Sequence, residues 1–159
     1  MTAIYLLILL PLIGFLINGL FGKKLPKNVS GWLGSLAVLG SFAIALKYFL
    51  DFFSGAATAA IDKNIFEWIA FGNISISFGI LIDQLSVMWL MIVTGIGFLI
   101  HVYSISYMHD DENFSRFFAY LNLFIFFMLL LVLGNSLLVT YIGWEGVGLC
   151  SYLLIGFWF

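Results

Sequence analysis

The chain has 159 residues, of which 64% are hydrophobic and 9% are charged, and its formal net charge is -2. A soluble globular domain carries about 25% charged residues, so this composition excludes one and indicates an integral membrane protein. The small net charge gives no sign of a basic surface for nucleic acid. Cys150 is the only cysteine, which excludes an intramolecular disulfide.

Five apolar segments are long enough to cross a bilayer, for which a helix needs about 20 residues. They cover residues 3–21, 30–53, 83–108, 114–133 and 137–159. Inside a bilayer the backbone must satisfy its own hydrogen bonds, so each segment is predicted to be a helix. The predicted fold class is therefore an all-α integral membrane protein, a multi-spanning helix bundle.

The connection between the second and third segments has a different pattern. From Ile74 to Ile80, apolar and small residues alternate with a period of two, which is typical of a strand. The pair Gly72-Asn73 favours a tight turn, and residues 65–71 before it form the other arm. The sequence therefore predicts one extramembrane β-hairpin over residues 65–80.

Lysine and arginine in short loops indicate orientation, because cytoplasmic loops are enriched in them. The first loop carries Lys23, Lys24 and Lys27, the third carries Arg116, and the second carries only Lys63. This asymmetry predicts a cytoplasmic Lys23 loop, with the amino terminus and the hairpin outside. Arg116 is predicted to be an anchor whose side chain reaches the membrane interface.

Glu145 is the only charged residue from Leu137 to Phe159. A helix rises about 1.5 Å per residue, which places this acid about 12 Å along the fifth segment and near the bilayer centre. Acids at that depth usually face a bundle interior or a polar cavity and mark a proton or ion path. The alternative is a structural carboxyl that hydrogen-bonds across a helix interface.

Three glycines flank this acid at positions Gly143, Gly146 and Gly148. Small residues let a neighbouring helix approach closely, so they are predicted to pack helices around Glu145 and enclose it in protein. A carboxyl enclosed in this way is favoured in its neutral form by burial and in its ionised form by a nearby cation. A cation that comes and goes would therefore load and unload a proton.

Other polar residues in the apolar segments give weaker signals. His101 is a possible proton relay, because histidine titrates near neutral pH in its unperturbed form; the alternative is a histidine bonded to a backbone carbonyl. Asp83 and Asn135 are predicted to cap the third and fifth helices, and Asn122 is predicted to hydrogen-bond between helices. The sequence has no cysteine cluster, phosphate loop or nucleophile triad, so no metal site, cofactor site or covalent chemistry is expected in this chain.

Long motifs in the second half of the chain resemble a known family. They cover residues 101–104, 107–108, 115–124 and 143–157, and the last reads Gly-Trp-Glu-Gly-Val-Gly-Leu-Cys-Ser-Tyr-Leu-Leu-Ile-Gly-Phe. These runs closely resemble the amino-terminal part of the subunit L family, the distal antiporter-like subunits of bacterial complex I, a proton-pumping NADH:quinone oxidoreductase. Multisubunit cation/proton antiporters share the arginine-aromatic run and the Trp-Glu pair, but their following residues usually differ.

The resemblance implies that Glu145 matches the family's key glutamate on helix five, which pairs with a lysine on a later, broken helix. Residues 1–159 would form a single membrane domain, the amino-terminal portion of a longer antiporter-like subunit in a bacterial inner membrane. Its partners would be other complex I membrane subunits, especially a neighbouring antiporter-like subunit, and lipid. NADH, FMN, iron–sulfur clusters and quinone would belong to partner subunits. Two alternatives stay open: a subunit of a cation/proton antiporter and a structural membrane scaffold.

Overall fold

In the computed structural model, which describes residues 2–56, 59–72 and 74–158, five helices form most of the protein. They are α1 (Thr2–Phe21), α2 (Lys27–Phe53), α3 (Gln84–Tyr107), α4 (Phe114–Leu133) and α5 (Leu137–Ile155), and a 3₁₀ turn at Gly22–Lys24 follows α1. Strands β1 (Ile61–Phe71) and β2 (Ile74–Ile82) form a hairpin between α2 and α3. All five helices of these described ranges are long and apolar enough to span a membrane. The predicted fold class is confirmed.

Helix α4 holds the bundle together, because it packs against α1, α2, α3 and α5. Helix α2 packs along α1 and α3 on the other side of the bundle. The core between them is made of fully buried apolar side chains, which include Leu7, Val38, Leu90 and Leu129. Large apolar side chains are also exposed on α1, α2, α3 and α5. Such a surface suits lipid, whose acyl chains are as apolar as leucine.

Asn18, Ser30 and Asn122 form a buried polar junction where α1, α2 and α4 meet. Ser30 Oγ donates to Asn18 Oδ1 at 2.9 Å, and Asn18 Nδ2 donates to the Ser30 carbonyl at 3.3 Å. Asn122 Nδ2 donates at 2.9 Å to a carbonyl one turn earlier in α4. The prediction that Asn122 hydrogen-bonds between helices is wrong, because its amide packs among α1, α2 and α4 but bonds within its own helix.

Two glycines make room for the Asn122 amide. A Cβ atom at Gly14 would lie 2.5 Å from Asn122 Oδ1, and one at Gly34 would lie 2.6 Å from Asn122 Nδ2. These separations are far below van der Waals contact, so any larger residue would force α1 or α2 away from α4. The polar junction is therefore closed by its own packing.

The hairpin is longer than predicted. Its antiparallel pairing runs from Ile61 opposite Ile82 to Phe71 opposite Ile74, so the predicted range of 65–80 is too short at both ends. Strand β1 contains two register irregularities, and they interrupt the alternation of apolar and polar residues along it. Gly72 has a φ of 58°, a value that favours glycine at the turn; Asn73 lies outside the described residues.

The short connection between α4 and α5 holds the base of this hairpin. Asn135 Nδ2 donates to Asp62 Oδ1 at 2.9 Å and to Asn64 Oδ1 at 2.8 Å. The prediction that Asn135 caps α5 is wrong, since Ser136 is the N-cap and its Oγ accepts from a backbone N–H of the first turn. Both residue types suit an N-cap, and only the position of the hairpin separates their roles.

The cap of α3 is as predicted, whereas the end of α5 is not. Asp83 Oδ1 accepts from the Ser86 backbone N–H at 2.7 Å, and Ser86 Oγ accepts from the Asp83 backbone N–H at 2.8 Å. The expectation that the fifth helix continues towards residue 159 is wrong, because α5 ends at Ile155. Phe157 then turns back and is buried against α4, in a cluster with Phe114 and other aromatic residues.

Candidate proton-transfer site

Glu145 lies in the middle of α5, which runs from Leu137 to Ile155. Its backbone is about 12 Å from the start of a helix that is about 28 Å long. The chain has no other charged residue from Leu137 onward. The structure therefore places Glu145 near the middle of its helix, as the sequence predicts.

One face of α5 packs tightly on α4. A Cβ atom at Gly143 would lie 2.5 Å from the Leu131 backbone nitrogen, and one at Gly146 would overlap the Phe127 ring. Cys150, one turn further on, is fully buried on the same face. Gly143 and Gly146 therefore allow the close helix approach that the sequence predicts.

The opposite face of α5 is open in the described part of the chain, and we call it the outer face. Its exposed residues follow helical spacing and are Leu137, Tyr141, Trp144, Glu145, Gly148, Leu149, Tyr152 and Ile155. Tyr141 and Trp144 are 59% and 67% exposed, so the described residues leave the surroundings of the acid uncovered.

Within the described residues the glycines do not enclose Glu145, so the expected enclosure stays a prediction for the longer protein. Successive residues turn by about 100° around a helix, so Glu145 lies about 200° from Gly143 and faces away from α4. Apart from its own turn of helix backbone and its two chain neighbours, no heavy atom of the described residues comes within 4 Å of a Cβ placed on Gly148. Gly143 and Gly146 bring α4 to the back of α5, and the carboxyl remains on the outer face.

His101 lies on a different side of the bundle, between α3 and α4, and is 1% exposed. Its Nδ1 lies 2.8 Å from the Gly97 carbonyl, which can only accept, so Nδ1 carries the proton of this hydrogen bond. The hydrogen bond to a backbone carbonyl that the sequence analysis considered is thus present. Its Nε2 has no hydrogen-bond partner among the described residues, and the ring lines a cavity of about 130 Å³ that Leu154 also borders. A relay role stays a prediction, which the pumping rate of a His101→Phe variant would test.

Asn18 and Ser30 are buried polar residues that the sequence does not single out. The available signal is the occurrence of asparagine and serine beside Gly14 and Gly34 in segments that are otherwise apolar. No group of three or more histidine, cysteine, aspartate or glutamate side chains is placed to hold a metal ion in the described ranges. The candidate site is therefore a single carboxyl on one open helix face.

These features define a multi-spanning membrane protein with one acid at the middle of its fifth helix. The family model for "NADH-Ubiquinone oxidoreductase (complex I), chain 5 N-terminus" matches residues 68–118. NADH-quinone oxidoreductase subunit L of Escherichia coli K12 is 44% identical over 160 residues, covering 100% of this chain and 26% of the relative.

Two further relatives agree with this assignment. NADH-quinone oxidoreductase subunit L of Neisseria meningitidis serogroup A is 41% identical, covering 100% of this chain and 24% of the relative. NADH-ubiquinone oxidoreductase chain 5 of Hypocrea jecorina is 40% identical, covering 96% of this chain and 22% of the relative. The chain is therefore homologous to the amino-terminal part of NADH-quinone oxidoreductase subunit L, and the predicted resemblance is confirmed. It spans about a quarter of the length of the curated relatives it matches.

Proposed function

We propose that this chain is part of a proton-translocating membrane subunit of a respiratory NADH:quinone oxidoreductase, and that Glu145 gains and loses a proton during turnover. The observation that carries the proposal is the position of Glu145, in the middle of the apolar helix α5 and on its outer face. A carboxylate left in lipid at the middle of a membrane span is costly, and membrane acids are therefore commonly functional. Homology to subunit L supports the assignment to this enzyme class.

The proton-transfer step requires a second group against the outer face. Burial by a covering helix favours the neutral carboxyl, and an approaching cation favours the carboxylate. The resemblance supplies such a cation as a lysine on a later helix of the longer protein. When the lysine approaches, Glu145 releases its proton, and when it withdraws, Glu145 takes up another from the opposite side.

The proposal also includes the partners of the protein and its location in the cell. The protein lies in a bacterial inner membrane among other membrane subunits, one of them a neighbouring antiporter-like subunit, with NADH, FMN, iron–sulfur clusters and quinone held by partner subunits. This chain itself carries out no covalent chemistry. The Lys23 loop is cytoplasmic, and the amino terminus and the hairpin are periplasmic, because the basic residues are concentrated in that loop.

A Glu145→Gln variant of the full-length protein tests the central step. Glutamine keeps the shape and hydrogen-bonding capacity of the side chain but cannot ionise. We expect normal assembly, because a neutral side chain lowers the insertion cost, together with a sharp fall in protons pumped per electron in reconstituted vesicles. Glu145→Asp, which keeps the acid but shortens it by one methylene, should retain partial activity.

The matched control is Glu67→Gln, which makes the same chemical change on the exposed hairpin and should pump at the parental rate. If Glu145→Gln assembles and also pumps at the parental rate, the carboxyl is not on the proton path. A scaffold role would then be the better account of the chain.

Orientation is tested by cysteine labelling in intact cells, starting from a Cys150→Ser background. Lys24→Cys and Phe71→Cys probe the two sides, because both residues are exposed and lie at opposite ends of the helices. A membrane-impermeant thiol reagent should modify Phe71→Cys and leave Lys24→Cys unmodified until the cells are opened. Labelling only of Lys24→Cys in intact cells would reverse the orientation.

A further inference from the structure

A cavity of about 590 Å³ opens at the end of the bundle that carries the Lys23 loop. It lies between the last turn of α1, the 3₁₀ turn at Gly22–Lys24 and the first turn of α4. Three cationic side chains line it, those of Lys23, Lys27 and Arg116, and Glu112 is the one acid among its lining residues. The cavity is therefore a positively charged recess at the boundary between membrane and water.

The positive charge of this recess is not neutralised within the described chain. None of the three cations forms a salt bridge among the described residues. Lys27 Nζ donates to the His109 backbone carbonyl at 2.9 Å, which fixes the ammonium group without cancelling its charge. The Arg116 guanidinium lies 5.3 Å from the Phe157 ring centroid and 6.0 Å from that of Tyr120, so aromatic faces hold it in place.

Asp111, in the loop before α4, lies close enough to these cations to be influenced by their charge. The pKa of the Asp111 carboxyl is lowered, first by a hydrogen bond from the Trp158 indole N–H at 2.8 Å and by the Asn113 backbone N–H. Lys27 and Arg116 lower it further through their charges. Asp111 is occupied by these hydrogen bonds and is not among the residues that line the recess.

The start of α4 adds to the attraction for an anion. Asn113 is the N-cap of α4 but makes no side-chain cap hydrogen bond, and it lines the recess together with Phe114 and Ser115. The first N–H groups of a helix have no partner in the helix and carry a partial positive charge. In the recess this partial charge lies beside three full charges.

One wall of the recess carries apolar residues of α1 and α4. It includes Phe15, Gly19 and Ala119 together with the buried amide of Asn18, and a Cβ on Gly19 would meet nothing closer than 3.9 Å. Leu16 and Leu20, which neighbour this wall on α1, are 44% and 73% exposed. A ligand here would have an anionic group among the cations and apolar chains running down α1 towards the membrane.

We propose that this recess binds the phosphate group of an anionic phospholipid, whose acyl chains lie along the exposed side of α1. A free phosphate ion carries the same negative charge but has no apolar chain that could contact Leu16 and Leu20. Clusters of lysine and arginine at a membrane surface attract anionic lipid headgroups. The inference concerns a different end of the molecule from Glu145 and does not depend on the proposed proton transfer.

The test uses the full-length protein purified with the subunits that accompany it. Binding of radiolabelled phosphatidylglycerol is titrated in detergent, with phosphatidylcholine and inorganic phosphate as competitors. Lys23→Gln and Arg116→Gln should each weaken phosphatidylglycerol binding about fivefold, as expected for loss of one interfacial charge. Arg116→Lys, which keeps the charge, should retain most of the binding.

Lys24→Gln is the matched control, because Lys24 is exposed on the same 3₁₀ turn but is not among the residues that line the recess. It should leave binding within about twofold of the parental value. Equal weakening by Lys24→Gln and Lys23→Gln would reduce the effect to general surface charge and overturn the site. Competition by phosphatidylcholine as strong as by phosphatidylglycerol, or displacement by an equal concentration of inorganic phosphate, would also overturn it.

If Arg116→Gln does not accumulate, Lys23→Gln still decides the question. Lys23 is exposed on the 3₁₀ turn, so its neutralisation leaves the packing of α1 on α4 unchanged. Unaltered phosphatidylglycerol binding by Lys23→Gln would contradict the proposed site.

Discussion

The polar junction of α1, α2 and α4 and the outer face of α5 both place polar groups in otherwise apolar helices. At the junction, Asn18 and Ser30 satisfy each other, and Gly14 and Gly34 fit closely around Asn122. On α5, Glu145 is the stronger polar group, yet it lies on the face that the described helices leave uncovered. The first region is buried among the described helices, and the second is not.

The degree of burial therefore helps to distinguish a polar residue that serves packing from one that serves function. A buried amide contributes to packing and has no proton to exchange near neutral pH. A carboxyl on an open face can be covered by a partner that moves and changes its charge state. The predictions below test whether the junction is closed and whether the outer face is open.

The largest effect is expected when an acid is introduced into the junction. Asn122→Asp in the full-length protein places a carboxyl at the middle of α4, where insertion scales assign an aspartate a cost of about 2.5–3.5 kcal/mol. Asn122 is fully buried, so a carboxylate in its place would be removed from solvent. We expect a marked loss of folded protein in the membrane, measured as the fraction that remains monodisperse after extraction.

The control for this prediction is Asn122→Leu, a change of similar volume that removes an amide whose Oδ1 has no hydrogen-bond partner among the described residues. Its stability should stay within about 1 kcal/mol of the parental protein. Parental accumulation of Asn122→Asp would mean that the junction is hydrated, and the contrast with Glu145 would then be lost.

A smaller effect is expected from closing the glycine contact on the back of α5. Gly143→Ala introduces a Cβ beside the Leu131 backbone, which cannot rotate away, so α5 must shift from α4. Overpacking of this kind costs about 1–3 kcal/mol, which should appear as a lower midpoint in a thermal aggregation assay. Gly148→Ala, on the outer face, should change stability by less than about 0.5 kcal/mol. Equal losses for both variants would contradict the distinction between the two faces.

The helices could be predicted from sequence because each is a long apolar run, and the length of a membrane span is fixed by the bilayer. The bounds of α4 agree with the prediction, and those of α1 and α3 differ by a residue at each end at most. The hairpin bounds were less predictable, since the irregularities in β1 break the alternation that marks a strand. The role of Asn135 depends on Asp62 and Asn64, more than 70 positions earlier in the chain.

The depth of Glu145 in the membrane could be predicted, whereas the direction in which it faces could not. A soluble helix shows its buried side by a stripe of apolar residues, but a helix in lipid is apolar on every side. Gly143, Gly146 and Gly148 look equivalent in sequence, and only the contacts with Leu131 and Phe127 show that two of them face α4. The charged recess at Lys23, Lys27 and Arg116 escaped prediction because its residues are brought together only by the packing of α1 on α4.

The central claim is that Glu145 changes its protonation state during turnover, and infrared difference spectroscopy of the full-length protein in its native complex tests it most directly. Reduction of the complex should produce a carboxyl C=O band that is absent from Glu145→Gln and retained in Glu67→Gln. An unaltered carboxyl band in Glu145→Gln would show that this residue does not exchange a proton, and would contradict the account.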